Sequence, residues 1–208
     1  MVGWDPLARA SMSLPRAYFD EIYRRDPDPW GFRTRPYEAR KRELTMAALP
    51  DPSYRSVFEP GCSIGLLTAL LAPRCERLLA MDISPQTLDV ARAGLPSHVE
   101  LRQGALPGDW PQEQFDLVVL SEVGYYLDSG DCRRMAELAA ASARDLIAVH
   151  WRHPVDDYPL TGDEVHSTLA DVAEAHHLIP LVRHCEQDFR IDVWSSDHRS
   201  IAARSGLL

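Results

Sequence analysis

One stretch of the chain sets glycines and carboxylates at spacings that suit nucleotide chemistry: Val57-Phe58-Glu59-Pro60-Gly61-Cys62-Ser63-Ile64-Gly65. It reads as the end of a strand, a glycine loop and, from Leu66, the start of a helix, which is the context in which such a loop carries meaning. Gly61 and Gly65 let backbone approach a ligand with no Cβ in the way. Asp82 closes the next predicted strand, 21 residues after Gly61. A carboxylate at the carboxyl end of a strand can accept both hydroxyls of a ribose, so the ligand of this unit contains one.

The loop departs from a dinucleotide fingerprint. Ser63 takes the middle glycine position and Leu66 the third. No lysine follows, which excludes a P-loop. Glu59, two residues before Gly61, would repel a pyrophosphate. It favours a ligand with a cationic end, such as the amino and sulfonium groups of S-adenosylmethionine. The plain alternative is a tight βα turn followed by a strand-end carboxylate.

Other candidates lie downstream and upstream. Glu122 follows the fourth predicted strand and reads as a base, an ammonium anchor or a solvated carboxylate. Of Tyr125 and Tyr126, one can stack on a sulfonium or sugar while the other joins the core. His150 ends the fifth strand and His153 lies in the loop after it; both titrate near neutrality and are candidates for a base or a substrate donor. Arg152 reads as a surface or salt-bridge residue. His98 and His198 carry no pattern, and His176-His177 suit a helix end. Trp30 stands among prolines and Gly31, where it plugs the core edge or covers a ligand. Tyr37, Glu38 and Lys41 have helical spacing, with Tyr37 and Lys41 on one face as cofactor or substrate contacts. Lys41 is the single lysine of a chain that otherwise uses arginine. No cluster has metal-ligand spacing.

The elements that must position these groups follow from periodicity. Helices are predicted from Pro15 to Arg25 and from Pro36 to Leu49, separated by the turn-rich Asp26-Pro27-Asp28-Pro29. Strands are predicted at Ser56 to Glu59, Arg77 to Asp82, Val99 to Gln103, Phe115 to Ser121 and Leu146 to His150. Helices begin at Leu66, at Ser84-Pro85 with Ser84 as the cap, at Asp131 and after the capping-box spelling Thr161-Gly162-Asp163-Glu164. Two late strands, Ile179 to Cys185 and Phe189 to Ser195, form a hairpin. The reading is an α/β fold: a Rossmann-like, doubly wound, seven-stranded sheet, mostly parallel with one antiparallel edge strand, under an N-terminal helical lid. Its divisions are a flexible terminus (1–12), the lid (13–50) and one Rossmann-like domain (51–208).

Composition bounds the function. The 208 residues are 45% hydrophobic and 25% charged, as in an ordinary globular domain. A net charge of −9 argues against general nucleic-acid binding. Residues 1–50 hold nine basic and seven acidic side chains, so the excess of acid lies in the rest. Low lysine and the absence of asparagine suggest a GC-rich bacterial genome. No signal peptide or membrane span is read, and Cys62, Cys75, Cys132 and Cys185 lie far apart. Both features fit a cytoplasmic protein.

Taken with these motifs, the sequence resembles class I S-adenosylmethionine-dependent methyltransferases, most of all the nodulation protein S (NodS) type, from about Tyr18 to Asp197. The residues that carry it are Tyr23-Arg24-Arg25-Asp26-Pro27-Asp28-Pro29-Trp30, Pro36-Tyr37-Glu38 with Lys41, Glu59 to Thr68, Asp82-Ile83-Ser84, Leu120 to Leu127 and His150-Trp151-Arg152-His153-Pro154. The resemblance implies that Glu59, Gly61, Ser63 and Gly65 line the methionine part of the cofactor. It places Asp82 and Ile83 at the ribose, Ala105 and Leu106 at the adenine, and Ser121 at the strand end beside them. Ala105 stands where many such enzymes have an acid for the adenine amino group, which leaves that contact to backbone groups or Asp109. The candidate catalytic residues, read from position, are Glu122 and His150; the candidate acceptor contacts are Trp30, Tyr37, Lys41, Tyr125, Tyr126 and His153. The implied reaction is N-methylation of the amine of an amino sugar or oligosaccharide, leaving S-adenosylhomocysteine. O-methylation of a small metabolite, a non-catalytic cofactor-binding protein and a nicotinamide-dependent oxidoreductase stand as alternatives. The expected partners are a small acceptor and at most a second copy of the chain, with no nucleic acid and no membrane.

Overall fold

A computed structural model describes residues 12–208. The expected flexible terminus lies outside the described residues except for Met12. Along the chain come α1 (Arg16–Arg25), α2 (Pro36–Ala48), β1 (Tyr54–Pro60), α3 (Leu66–Leu71), β2 (Cys75–Asp82), α4 (Pro85–Arg92), β3 (Val99–Gln103), β4 (Phe115–Ser121), α5 (Ser129–Ser142), β5 (Ala143–Trp151), α6 (Gly162–Ala175), β6 (Ile179–Cys185), β7 (Phe189–Ser195) and α7 (Ile201–Arg204).

The strands form one seven-stranded sheet in the order β3-β2-β1-β4-β5-β7-β6. Neighbours from β3 to β5 pair in parallel. β7 is antiparallel to both β5 and β6, so the reversed strand lies one place inside the edge, which is β6. The two arms β3-β2-β1 and β4-β5 run outward from β1 and β4. The crevice at the carboxyl ends of that pair is the switch point where open α/β sheets take ligands.

The central strands are apolar throughout because helices cover both faces. Leu117, Val118, Val119 and Leu120 are wholly buried. Alternation along the strands splits them between two cores. Leu117, Val119, Ile147 and Val149 meet Leu67 and Leu71 of α3. Val118, Leu120, Leu146 and Ala148 meet Met135, Ala136 and Leu169 of α5 and α6. α6 opens on the predicted capping box between Thr161 and Glu164. α4 opens at Ser84-Pro85 as predicted, without the capping bond. Ser84 is the capping residue, but its hydroxyl is buried without a partner and makes no capping bond. Asp82 instead takes the Ser84 amide, at 2.9 Å. No helix of the described residues is long and apolar enough to cross a membrane.

Candidate active site

The loop after β1 turns through left-handed backbone at Gly61, Ser63 and Gly65, with φ of 75°, 49° and 78°. Gly65 has a second constraint: a Cβ there would meet the Ala91 Cβ at 2.8 Å, so glycine is what lets the loop close on α4. Ser63 is the non-glycine member, and two contacts hold it. Its amide donates to Asp82 Oδ2 at 2.8 Å, and its hydroxyl pairs with the Tyr23 hydroxyl of α1 at 2.8 Å. Burial raises the Asp82 carboxyl, and the Ser84 and Ser63 amides pull against that rise.

Glu59 sits at the end of β1, buried, and its Oε2 has no hydrogen-bond partner. Burial pushes its carboxyl up to about 8; the Thr68 hydroxyl beside it pulls against that rise, and the charge of Asp82 adds a lesser push. An unpaired buried carboxylate is costly, and a cationic ligand group in the cavity would relieve the cost. The orphaned oxygen therefore fits a ligand with a positive end.

A cavity of about 500 Å³ opens over this loop, within the ~300–1,000 Å³ usual for small-molecule sites. Its floor includes Glu59, Gly61, Ser63, Asp82, Ile83, Leu106 and Ser121. Its roof comes from residues 13–50, where Tyr23, Trp30, Tyr37 and Lys41 face it. Trp30 stacks on Phe32 at 5.5 Å and meets the edge of Tyr23 at 5.5 Å, so an aromatic cluster holds it over the cavity.

The cavity lining also holds an ion cluster. Lys41 Nζ lies 3.1 Å from Glu38 and 2.5 Å from Glu122 Oε1, with the Tyr37 ring 5.4 Å away. Burial works against the ammonium, but Glu122 and Glu38 outweigh it and hold Lys41 above its ordinary value. Glu122 has left-handed backbone, with φ of 56°. Its Oε2 accepts the Tyr125 hydroxyl and, at 3.0 Å, the Trp151 amide. Three donors thus pin Glu122 in place. Burial and the Glu122 charge push the Tyr125 hydroxyl well above its ordinary value. Tyr126 also lines the cavity, against Tyr158 at 4.7 Å.

Four predicted residues stand away from the cavity lining. Gly65 shapes the loop from behind, and Ala105 gives its amide to Asp109 at 2.8 Å. Asp109 thus holds the loop backbone and is absent from the cavity lining. His153 is exposed and pairs with Asp188 at 2.8 Å. His150 is wholly buried, with both ring nitrogens engaged inside the protein, so it does not present a base to the cleft. Alternation explains the difference, since β5 turns the His150 side chain into the sheet–helix layer. Arg152 makes the expected salt bridge, to Asp163 at 2.9 Å. Sequence reasoning gave no site role to Tyr23, Glu38 or Tyr158. The signal for Glu38 was present, because three residues separate it from Lys41 on one helix.

A family model described as Nodulation protein S (NodS) matches residues 20–156. The Nodulation protein S of Rhizobium tropici is 30% identical over 141 residues, which is 61% of this chain and 59% of that protein. A crystal structure described as a putative methyltransferase from Pseudomonas syringae is 44% identical with a TM-score of 0.67, covering 77% of this chain and 99% of that one. The fold is also that of the N-methyltransferase NodS from Bradyrhizobium japonicum WM9 solved with S-adenosylhomocysteine. There the identity is 23% and the TM-score 0.75, over 88% of this chain and 98% of that one.

Proposed function

Because the chain belongs to the nodulation protein S (NodS) family, we propose that it is an S-adenosylmethionine-dependent methyltransferase acting on the amine of a small acceptor. The observation that carries this reading is the buried, unpaired Glu59 oxygen beside Asp82, at the switch point of the sheet. A dinucleotide would bring a pyrophosphate to Glu59, so the oxidoreductase alternative is disfavoured on charge.

Glu59 would hold the cationic methionine end, the Gly61–Gly65 loop its backbone, Asp82 the ribose hydroxyls, and Leu106 the adenine. When bound, the cofactor supplies a methyl group on a sulfonium, open to in-line displacement by an acceptor lone pair. The protein's share is position and exclusion of water. Residues 13–50 act as a lid, fastened by the Tyr23–Ser63 and Lys41–Glu122 contacts.

Two carboxylates surround the one Lys41 ammonium, which leaves net negative charge at the acceptor end. That charge suits an amine, which arrives as a cation and reacts once its proton has left to water. Glu122 is then an anchor rather than a free base, since Lys41, Tyr125 and the Trp151 amide already hold it. The rings of Trp30, Phe32 and Tyr126 offer flat faces to a sugar, in keeping with an amino-sugar acceptor. The test is isothermal calorimetry with S-adenosylhomocysteine, followed by methyl transfer to a panel of amino sugars and amines. Absence of binding at millimolar ligand would sink the cofactor assignment. Transfer to hydroxyl acceptors alone would sink the amine.

A further inference from the structure

Outside the cavity, three buried titratable side chains on β5, α6 and β7 form a chain. Asp192 Oδ2 lies 2.7 Å from His166 Nδ1. His166 Nε2 lies 3.2 Å from His150 Nδ1. His150 Nε2 accepts the Gly124 amide at 3.1 Å. All three side chains are nearly or wholly shielded from water.

The protons of this chain are assigned by its ends. The Gly124 amide can only donate, so His150 Nε2 carries a bare lone pair. A neutral His150 then bears its proton on Nδ1 and gives it to His166 Nε2. His166 in turn bears its proton on Nδ1 and gives it to the carboxylate. Every link has one donor and one acceptor, and the opposite direction would set two N–H groups against each other at Gly124. Packing leaves the chain no freedom to swing. A Cβ on Gly124 would meet Val165 at 2.5 Å and His150 Nε2 at 3.2 Å, and one on Gly162 would meet the Trp151 carbonyl at 2.1 Å. The Tyr125 ring stands edge-on to His150 at 5.4 Å.

Gly124 belongs to the loop that carries the pinned carboxylate. Glu122 lies two residues before it and Tyr125 one after, and Glu122 adopts left-handed backbone that its surroundings must enforce. The Glu122 amide is tied to the Val149 carbonyl at 2.8 Å and the Tyr125 carbonyl to the Leu160 amide at 3.3 Å. The histidine chain supplies the support between these two ties.

We propose that Asp192, His166 and His150 are positioning residues: a directional hydrogen-bond relay that holds the Gly124 amide and so sets where Glu122 and Tyr125 stand at the acceptor end of the cavity. Its link to turnover rests on the methyltransferase reading; its tautomers do not. The charged groups that face the relay are Arg190 and Arg183 beside Asp192, Asp163 on α6 and Lys41 on α2. Burial lowers both histidines from their ordinary value; Asp192 partly offsets this at His166, whereas His166 and Lys41 deepen it at His150.

The experiment is ring-nitrogen NMR on the full chain labelled with ¹⁵N-histidine, in the wild type and in Asp192→Asn. The wild type should show His150 and His166 as neutral Nδ1–H tautomers at pH 7, and His150 still so at pH 6. Asp192→Asn keeps the shape but loses the charge that orients His166, so His166 should become a mixture of tautomers and no longer offer His150 Nδ1–H a fixed acceptor. The variant should bind S-adenosylhomocysteine within about threefold of wild type, because none of the three relay residues lines the cavity. Its kcat should fall by about tenfold to a hundredfold, the cost of a misplaced site, with KM for S-adenosylmethionine unchanged. An Nε2–H tautomer at His150 in the wild type overturns the relay. So does an Asp192→Asn protein that scrambles the tautomer yet keeps wild-type kcat. If no acceptor is methylated, or the variant does not fold, the wild-type ring nitrogens alone decide, since they need no turnover.

Discussion

Glu59→Gln separates the two effects that this carboxyl has on the protein. Glu59 is buried with one unpaired oxygen, and its folded pKa is about 8 against 4.5 in the unfolded chain. A pKa raised by folding contributes stability that is fully present below pH 4.5 and is lost as pH rises through about 8. At about 1.4 kcal/mol per unit, the full loss is about 5 kcal/mol, of which about 3 is already incurred at pH 7. Glutamine cannot ionise, so the ligand-free variant should lose little stability between pH 5 and 8 and should be more stable than wild type at pH 8. Ligand binding should go the other way. A cationic methionine end selects the ionised carboxylate, so below pH 8 its dissociation constant should tighten by nearly tenfold per pH unit. The window from pH 5.5 to 7 is the clean one, because the ligand's own amino-acid ammonium stays charged throughout it. Calorimetry with S-adenosylhomocysteine in two buffers of different ionisation enthalpy should report close to one proton released at pH 7. Binding heats that do not depend on buffer, with an affinity flat across the window, would refute the reasoning. So would a Glu59→Gln protein that binds as tightly as wild type.

Further outcomes follow from single contacts. Lys41→Met leaves Glu38 and Glu122 buried beside each other without their cation, and loss of one partner from a buried ion cluster costs about 3–5 kcal/mol. Chemical denaturation should show that loss at pH 7.5, and a change under about 1 kcal/mol would mean that the cluster is not the anchor of the lid. Asp82→Asn removes the charge at the proposed ribose position and keeps only one of the two oxygens that take the Ser63 and Ser84 amides, so its NH2 group faces one of those N–H groups. Its affinity for S-adenosylhomocysteine should fall by about 1.5–3 kcal/mol, the scale of a hydrogen bond to a charged group. Gly65→Ala forces a Cβ into left-handed backbone and against Ala91. It should destabilise by about 1–3 kcal/mol in the same denaturation assay and weaken ligand binding, whereas Gly94→Ala, with open space around it, should not.

The local order of this protein was written in short-range pattern. The strands Val99–Gln103, Phe115–Ser121, Ile179–Cys185 and Phe189–Ser195 fall where periodicity put them, as does the Thr161 capping box. Backbone chemistry made the glycine loop legible, because left-handed turns at Gly61 and Gly65 need that residue type. The carboxylates at strand ends were legible because parallel strands bring their carboxyl ends to one edge. Tertiary structure decided what no spacing encodes: which way each strand-end side chain turns and who meets it. His150 is the case in point. Its position at the end of β5 is read from the sequence, but packing against His166 and Gly124 turns it inward, away from the cavity. Lys41 is the converse, a residue marked by its helical spacing from Tyr37 and by being the single lysine, with nothing to say what it meets. Its two carboxylate partners lie three and 81 residues away along the chain, and only folding the helical segment over the sheet brings them together.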